Sequence, residues 1–170
     1  MTKGIWERCR SRTRTRRISG QAWRVVEGQH VVSTRKLVDS REEQEILETL
    51  IEGRKPPLAD APEYAGLHYL LSTPFRYPPL RHGSRFGTRN EPALWYGSTR
   101  VRTALAETAY YRLLFLEGTE ADLGPLVLEL TAFRVQYRTS RGVDLCRDPF
   151  DDYRSTLAAP DDYAQTQRLG

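Results

Sequence analysis

Cysteine is scarce in this chain, and its scarcity excludes two kinds of architecture. The two cysteines, Cys9 and Cys146, stand far apart and form no CxxC or Cys/His spacing. Neither a disulfide framework nor a structural zinc site is therefore expected. Histidine offers no alternative, because the three histidines share no ligand-like spacing. We predict no metal site.

Long apolar runs are missing as well. No run approaches the ~20 apolar residues that a membrane span needs. The basic N-terminus, MTKGIWERCRSRTRTRRISG, also lacks the apolar stretch of a secretory signal. We therefore expect no membrane association and a cytoplasmic location. The 170 residues, 39% of them hydrophobic and 28% charged, have the composition of one globular domain with its own core.

The positive charge is concentrated at the start of the chain. Residues 1–17 hold a single acid, Glu7, against the basic residues Lys3, Arg8, Arg10, Arg12, Arg14, Arg16 and Arg17. We predict that residues 1–20 form a basic N-terminal arm, which is either solvated or in contact with an acidic partner. Arginines at this density can also bind a phosphate backbone by releasing counterions, although only Trp6 offers a base-stacking surface. The rest of the chain is close to neutral and lacks the charge of a nucleic-acid-binding domain.

Local patterns predict alternating strands and helices over residues 21–170, which we interpret as a single domain. The capping box Ser40-Arg-Glu-Glu43 precedes apolar residues at helical spacing and predicts a packed helix over 41–52. The other predicted elements are a strand Gln21–Val26, a helix Glu63–Leu71, a turn-rich loop Phe75–Pro92, a strand Ala93–Tyr96, a helix from Ser98 or Thr99 to Leu116 closed by Gly118, a strand Pro125–Tyr137, a loop over 144–162 and a final helix capped by Asp161.

This order of elements favours a mixed α+β domain. A doubly wound sheet is not favoured, because the chain has neither a GxGxxG motif after a strand nor a Walker A loop. The final helix begins only about two turns before Gly170. We therefore expect one or more C-terminal elements to be absent.

The candidate chemistry lies in the loop Phe75–Pro92 and in the helix that follows it. The loop is a candidate anion-binding segment because it contains Arg76, Arg81, Arg85 and Arg89. Tyr96 ends a predicted strand and Glu107 lies on the next helix, so both can face one pocket. Glu107 stands between alanines at the edge of an apolar helix face, where a carboxylate needs a partner. An ordinary surface glutamate with an i,i+4 contact explains this pattern equally well.

Arg24 lies in the middle of a predicted strand, beside Trp23. Arginine is rarely buried without a partner. Arg24 therefore either forms a structural salt bridge, which the pattern alone favours, or holds an anionic ligand with its planar fork.

Together these residues resemble the RES-domain family, which is named for an arginine, a glutamate and a serine. The pattern of the family is an aromatic-Arg pair in a strand, a Gly-x-Arg-aromatic loop, a strand that ends in tyrosine and a helix that carries glutamate. The corresponding segments here are Trp23-Arg24, Gly83-Ser-Arg85-Phe86, Leu94-Trp-Tyr96 and Ala104-Leu-Ala-Glu107. The resemblance covers residues 21–30 and a core motif at 66–170. The basic arm and a helical addition at about 40–62 lie outside it.

The resemblance implies a fold related to ADP-ribosyltransferases, with a mixed sheet and flanking helices, and NAD as the substrate. Members of the family degrade NAD by phosphorolysis or hydrolysis, or transfer ADP-ribose to a protein. Carried over by position, Arg24 and Arg85 would hold the phosphates. Tyr96 would pack against the nicotinamide, and Ser98 joins the NAD-binding set. Glu107 would bind the ribose hydroxyls and stabilise the positive charge that develops as nicotinamide leaves.

One segment departs from the family pattern. DDYAQTQRLG resembles the family segment in which an aromatic residue precedes a serine, but Ala164 stands at the position of that serine. Thr166 and Gln167 are the polar residues nearby. The role of the family serine therefore has no assigned residue in this chain.

Two functions from different classes follow from the sequence. The first, which the resemblance to the RES-domain family implies, is the toxin of a toxin–antitoxin pair, whose partners are NAD, a cognate antitoxin protein and, for phosphorolysis, inorganic phosphate. Nucleic acid is expected only through the antitoxin or the basic arm. The second is a nucleic-acid- or partner-binding protein that acts through the arm, with the rest of the chain structural.

Overall fold

The computed structural model describes residues 4–28, 38–57, 64, 66–120 and 124–169. The chain divides into two compact units. Unit 1 comprises Met1–Ile18, Pro56–Trp95 and Thr139–Gly170, and unit 2 comprises Ser19–Lys55 and Tyr96–Arg138. Helices and strands are mixed along the chain, which confirms the predicted α+β class.

Two long strands form an antiparallel sheet, β1 over Arg16–Glu27 and β2 over Leu130–Gly142. Gly28 closes one end of the ladder by donating its backbone N–H to the carbonyl of Glu129 (2.7 Å). The predicted strands Gln21–Val26 and Pro125–Tyr137 were wrong in their bounds. β1 begins earlier, and β2 begins and ends later, because a strand extends only where a partner strand accepts its hydrogen bonds.

Unit 1 contains the small helices of the molecule. They are α1 (Ile5–Cys9), α3 (Tyr69–Arg76), a 3₁₀ helix (Asp151–Tyr153), α5 (Arg154–Leu157) and α6 (Ala164–Gln167). The core of the unit consists of Ile5, Cys9 and Phe150, each at most 4% exposed. The side chains of Val143, Leu145, Tyr153, Leu157 and Leu169 pack around these three residues.

Several predictions for unit 1 differ from its structure. The segment interpreted as a solvated arm carries α1, because Ile5 and Cys9 bury apolar surface there. The predicted loop over 144–162 contains the 3₁₀ helix and α5. The final helix begins at Ala164, whose N–H is bound by the Asp162 carboxylate (2.9 Å), and is not capped by Asp161.

The predicted helix Glu63–Leu71 is also displaced along the chain. Glu63 lies outside the described residues, and α3 runs from Tyr69 to Arg76 through Pro74. The missing N–H of Pro74 removes one helical hydrogen bond near the end of this short helix. The hydroxyls of Ser72 and Thr73 both bind the carbonyl of Tyr69.

Unit 2 contains the two longest helices, α2 (Arg41–Arg54) and α4 (Val101–Glu117). The predicted cap of α2 is confirmed, since the Ser40 hydroxyl accepts the N–H of Glu43 (3.1 Å). The expected packing role of α2 is not confirmed, because none of its residues is buried. Gly118 ends α4 as predicted.

The segment before α4 differs most from the prediction. Residues 93–96 belong to no helix or strand, and in this segment only Ser98 pairs with β1, through an isolated bridge to Trp23. Arg100 occupies the N-cap position of α4, and no side chain caps the helix. Ser98 instead accepts the N–H of Arg100 (3.3 Å), in a turn that precedes the helix.

Within the described part of the chain, no helix has the length and apolar character needed to cross a membrane.

Candidate functional site

Arg24 lies in the middle of β1 and is half-buried. The neighbouring positions Ala22 and Val25 are buried, so the strand holds the arginine at a fixed place. Its Nη1 donates a hydrogen bond to the carbonyl oxygen of Tyr96 (3.3 Å). Arg24 and Tyr96, which are 72 residues apart in the chain, therefore meet in unit 2.

The bridge between Trp23 and Ser98 produces this meeting. Each of these residues donates its backbone N–H to the carbonyl of the other, at 2.6 and 2.8 Å. Because Arg24 and Tyr96 flank this bridge, the two hydrogen bonds bring them together before α4 begins. Ser98 therefore joins β1 to the segment before α4 through its backbone, and its hydroxyl accepts the N–H of Arg100.

Glu107 lies on the second turn of α4 and is exposed. Its charge acts on Arg24. Burial lowers the pKa of the Arg24 guanidinium, and the negative charge of Glu107 opposes that shift. The exposure of Glu107 agrees with its interpretation as a surface glutamate, and its charge also reaches Arg24. Thr103 and Tyr111, four residues before and after Glu107, give it no partner for an i,i+4 ion pair.

Two further contacts tie β1 to other elements of unit 2. Arg112 on α4 forms an ion pair with Glu27 at the end of β1. Arg134 on β2 lies over the ring of Trp23, with 5.6 Å between its Cζ and the ring centroid. Sequence reasoning did not find Arg112 or Arg134, because neither belongs to a motif and both contacts are long-range. Arg134 thus places an additional cation against Trp23, and Arg112 places one at the end of β1.

Arg85 lies in unit 1, on the turn between Gly83 and Gly87. The turn is closed by a hydrogen bond from the Ser84 N–H to the Gly87 carbonyl (2.8 Å). Gly83 adopts a φ of 69°, in the left-handed region that favours glycine. The predicted loop arginine is therefore presented by a tight, hydrogen-bonded turn.

The guanidinium of Arg85 is bound to the C-terminal part of unit 1. Its Nη1 donates to the carbonyls of Leu157 (3.2 Å) and Ala159 (2.6 Å). Its Cζ lies over the ring of Tyr163, 4.8 Å from the centroid. Two other arginines of the predicted anion loop, Arg81 and Arg89, are exposed.

The segment that departs from the family serine pattern lies against this turn. Gln167 on α6 donates from Nε2 to the carbonyls of His82 (2.9 Å) and Ser84 (3.0 Å). Thr166 is fully buried, and its hydroxyl binds the Tyr163 carbonyl (3.1 Å). Ala164 is exposed. The sequence indicated Thr166 and Gln167 only as polar residues near Ala164, whereas Tyr163 was missed as a partner of Arg85.

Among the described residues, no group of three or more His, Cys, Asp or Glu side chains is arranged to hold a metal ion.

The family model described as RES domain matches residues 57–170 of the chain. Arg85, Tyr96, Ser98 and Glu107 lie inside the matched region, whereas Arg24 lies outside it. No curated protein gave a significant match to the chain.

Proposed function

The chain belongs to the RES domain family, and from this premise we propose that it consumes NAD by cleaving the bond between nicotinamide and ribose. RES domains are associated in general with NAD-related toxin function. The proposal assigns this chain the role of the toxin in a toxin–antitoxin pair. It also gives the chain a fold related to ADP-ribosyltransferases, as the resemblance implies.

The observation that carries the proposal is the cluster of Arg24, Tyr96 and Glu107 in unit 2. A guanidinium and a carboxylate lie close enough for the charge of Glu107 to act on Arg24. The guanidinium is partly desolvated, which strengthens its attraction for an anion. The carboxylate is exposed and therefore accessible to a substrate. The Arg24 guanidinium can bind the negative phosphates of a substrate. The Glu107 carboxylate can stabilise a reacting carbon that becomes positive.

The chemistry of NAD assigns Glu107 its role. The bond from ribose C1′ to the nicotinamide nitrogen breaks with its electron pair going to nicotinamide, which leaves as a neutral molecule. Positive charge then develops on the ribose, in an oxocarbenium-like transition state. A fixed carboxylate stabilises that charge more than it stabilises the bound substrate, so it accelerates the reaction. We assign this function to Glu107, together with hydrogen bonds to the ribose hydroxyls.

Arg24 and Arg85 are the proposed phosphate-binding residues. Arg24 is supported by its half-buried position in β1 and by the hydrogen bond to Tyr96. Arg85 is supported by its place in the matched region and by its anchored guanidinium. Binding the phosphates holds the substrate in the site before the reaction begins. Tyr96 is proposed to pack against the nicotinamide, and Ser98 to lie in the same part of the NAD-binding set.

The acceptor of the ADP-ribosyl group is one of three nucleophiles: inorganic phosphate, water or a protein side chain. Incubating the purified chain with NAD, with and without phosphate, separates them by their products. Phosphorolysis yields ADP-ribose phosphate, hydrolysis yields ADP-ribose, and transfer adds the mass of ADP-ribose to a protein. Release of nicotinamide accompanied by any one product supports the proposal. Intact NAD after long incubation with a chain that also fails to bind NAD would refute it.

A further inference from the structure

The side chain of Gln167 forms hydrogen bonds with the beginning of the turn that carries Arg85. One amide nitrogen donates to two carbonyls, those of His82 and Ser84, which lie on either side of Gly83. Both hydrogens of the amide nitrogen are therefore used. The two bonds join α6 to the turn across 85 and 83 residues of chain.

The backbone at Gly83 permits this close approach. A Cβ at this position would lie 2.9 Å from Nε2 of Gln167 and would also clash with the carbonyl of Gly87. The positive φ of Gly83 adds a second cost for any other residue. The backbone of the turn therefore leaves room for the Gln167 amide beside Gly83, directly before Arg85.

The same part of unit 1 fixes one edge and one face of the Arg85 guanidinium. Both hydrogens of Nη1 are bound, by the carbonyls of Leu157 and Ala159, and the ring of Tyr163 covers one face. A guanidinium has five N–H donors in a planar fork. The three donors on Nε and Nη2 bind no other described residue. Their geometry matches two oxygens of a phosphate.

We propose that Gln167 is a positioning residue for Arg85, because it holds the Gly83–Gly87 turn so that the Nε and Nη2 edge of the guanidinium is preorganised to bind a phosphate. The identity of that phosphate, as part of NAD, rests on the proposed function. The positioning of Arg85 by Gln167 does not depend on the proposed function, so the positioning role and the proposed function can be tested separately.

The first test measures the mobility of Arg85 in the protein without ligand. Hindered rotation of its guanidinium gives separate ¹⁵N signals for Nη1 and Nη2, which are assigned by their loss in Arg85→Lys. Gln167→Leu removes both donors, and Gln167→Asn is too short to reach both carbonyls. We expect each variant to speed the rotation by about tenfold or more, because the turn loses its support. Gln165→Leu is the matched control on the same helix, since Gln165 forms no side-chain hydrogen bond among the described residues, and it should leave the signals unchanged.

The second test measures the kinetics of NAD cleavage. Arg85 contacts a part of the substrate that does not react, so loss of its positioning should raise KM by about tenfold and change kcat by less than about twofold. In an Arg85→Lys background, Gln167→Leu should then have no further effect, because Gln167 acts through Arg85.

The outcomes distinguish the inference from the proposed function. Unchanged rotation of Arg85 in both folded Gln167 variants would overturn the inference, as would KM effects that multiply in the double variant. A wild-type chain that neither binds nor cleaves NAD would refute the proposed function, while the rotation of Arg85 would still decide the role of Gln167.

Discussion

At the scale of single residues, Arg24 is the side chain whose environment requires an explanation. A half-buried guanidinium has lost part of its hydration, so burial lowers its pKa, and the negative charge of Glu107 partly restores the charged form. The hydrogen bond to the Tyr96 carbonyl fixes its orientation. Glu107 itself is exposed, so a substrate can reach its carboxylate.

Glu91 gives a prediction at the same scale, because its carboxylate is bound to the backbone. The Thr88 N–H donates to Glu91 at 2.5 Å, and this hydrogen bond lowers the pKa of the Glu91 carboxyl. A pKa that is lower in the folded protein stabilises the fold above the pKa of the unfolded chain, and that contribution is lost as the pH falls through the lower, folded value. The melting temperature of the wild type should therefore fall more steeply below about pH 4.3 than that of Glu91→Gln.

The control for this measurement is Glu117→Gln. Glu117 is exposed, and its side chain makes no hydrogen bond or ion pair among the described residues. The melting temperature of Glu117→Gln should depend on pH in the same way as that of the wild type. Parallel profiles for Glu91→Gln and the wild type would contradict the assigned role of Glu91.

At the scale of elements, α2 depends on its cap more than on burial. None of its residues is buried, and its first turn is held by the bond from the Glu43 N–H to the Ser40 hydroxyl. Ser40→Ala should reduce the local opening free energy of α2 by about 1 kcal/mol. The measurement is hydrogen exchange of the α2 amides, which should become several times faster. Ser40→Asp preserves the cap and should exchange at nearly the wild-type rate. Equal exchange in all three proteins would contradict this role of the cap.

The elements that the sequence predicted well are those whose signals are local. The cap of α2 and the glycine that ends α4 act over a few residues, and the structure agrees with both. The bounds of β1 and β2 depend on a partner strand far away in the chain, so composition alone placed them several residues off. α3 was misplaced because Pro74, an apparent helix stop, is accommodated within a helix of eight residues.

The residues of the candidate site also fall into two groups, those that a local sequence pattern predicts and those that only long-range contacts reveal. Arg24, Arg85, Tyr96 and Glu107 were predicted because they belong to a pattern of residue types, and the structure brings Arg24 to the carbonyl of Tyr96 and within reach of the charge of Glu107. Tyr163 and Gln167 support Arg85 from a distant part of the chain, through contacts that no local pattern encodes. Arg112 and Arg134 were missed for the same reason.

At the scale of the whole molecule, the basic N-terminal segment separates the two candidate functions. Its removal would not be a clean test, because Ile5 and Cys9 belong to the core of unit 1. Reversing the charge of exposed arginines in this segment is a cleaner test than removing it, because the core of unit 1 stays intact. Arg12 and Arg16 form ion pairs with Asp148 and Asp144. Arg10, Arg14 and Arg17 are exposed and form no ion pair among the described residues.

Replacing Arg10, Arg14 and Arg17 with glutamate should leave NAD cleavage within about twofold of the wild type, because the proposed reaction uses none of them. Binding to a nucleic acid is measured in parallel across a range of salt concentrations. If the arm were the functional part, the triple variant would lose affinity and its salt dependence would fall by ~0.9 for each phosphate contact removed. Loss of NAD cleavage together with that affinity would contradict the enzymatic account.

The most direct test of the central claim is the initial rate of nicotinamide release from NAD by the wild type, Glu107→Gln and Glu117→Gln. The account predicts that Glu107→Gln lowers kcat by about 100-fold or more with KM little changed, because the carboxylate acts in the transition state. Glu117→Gln, the same change on the same helix, should retain the wild-type rate. Unfolding in urea checks that both variants are folded. Nicotinamide release by Glu107→Gln at the wild-type rate would contradict the account.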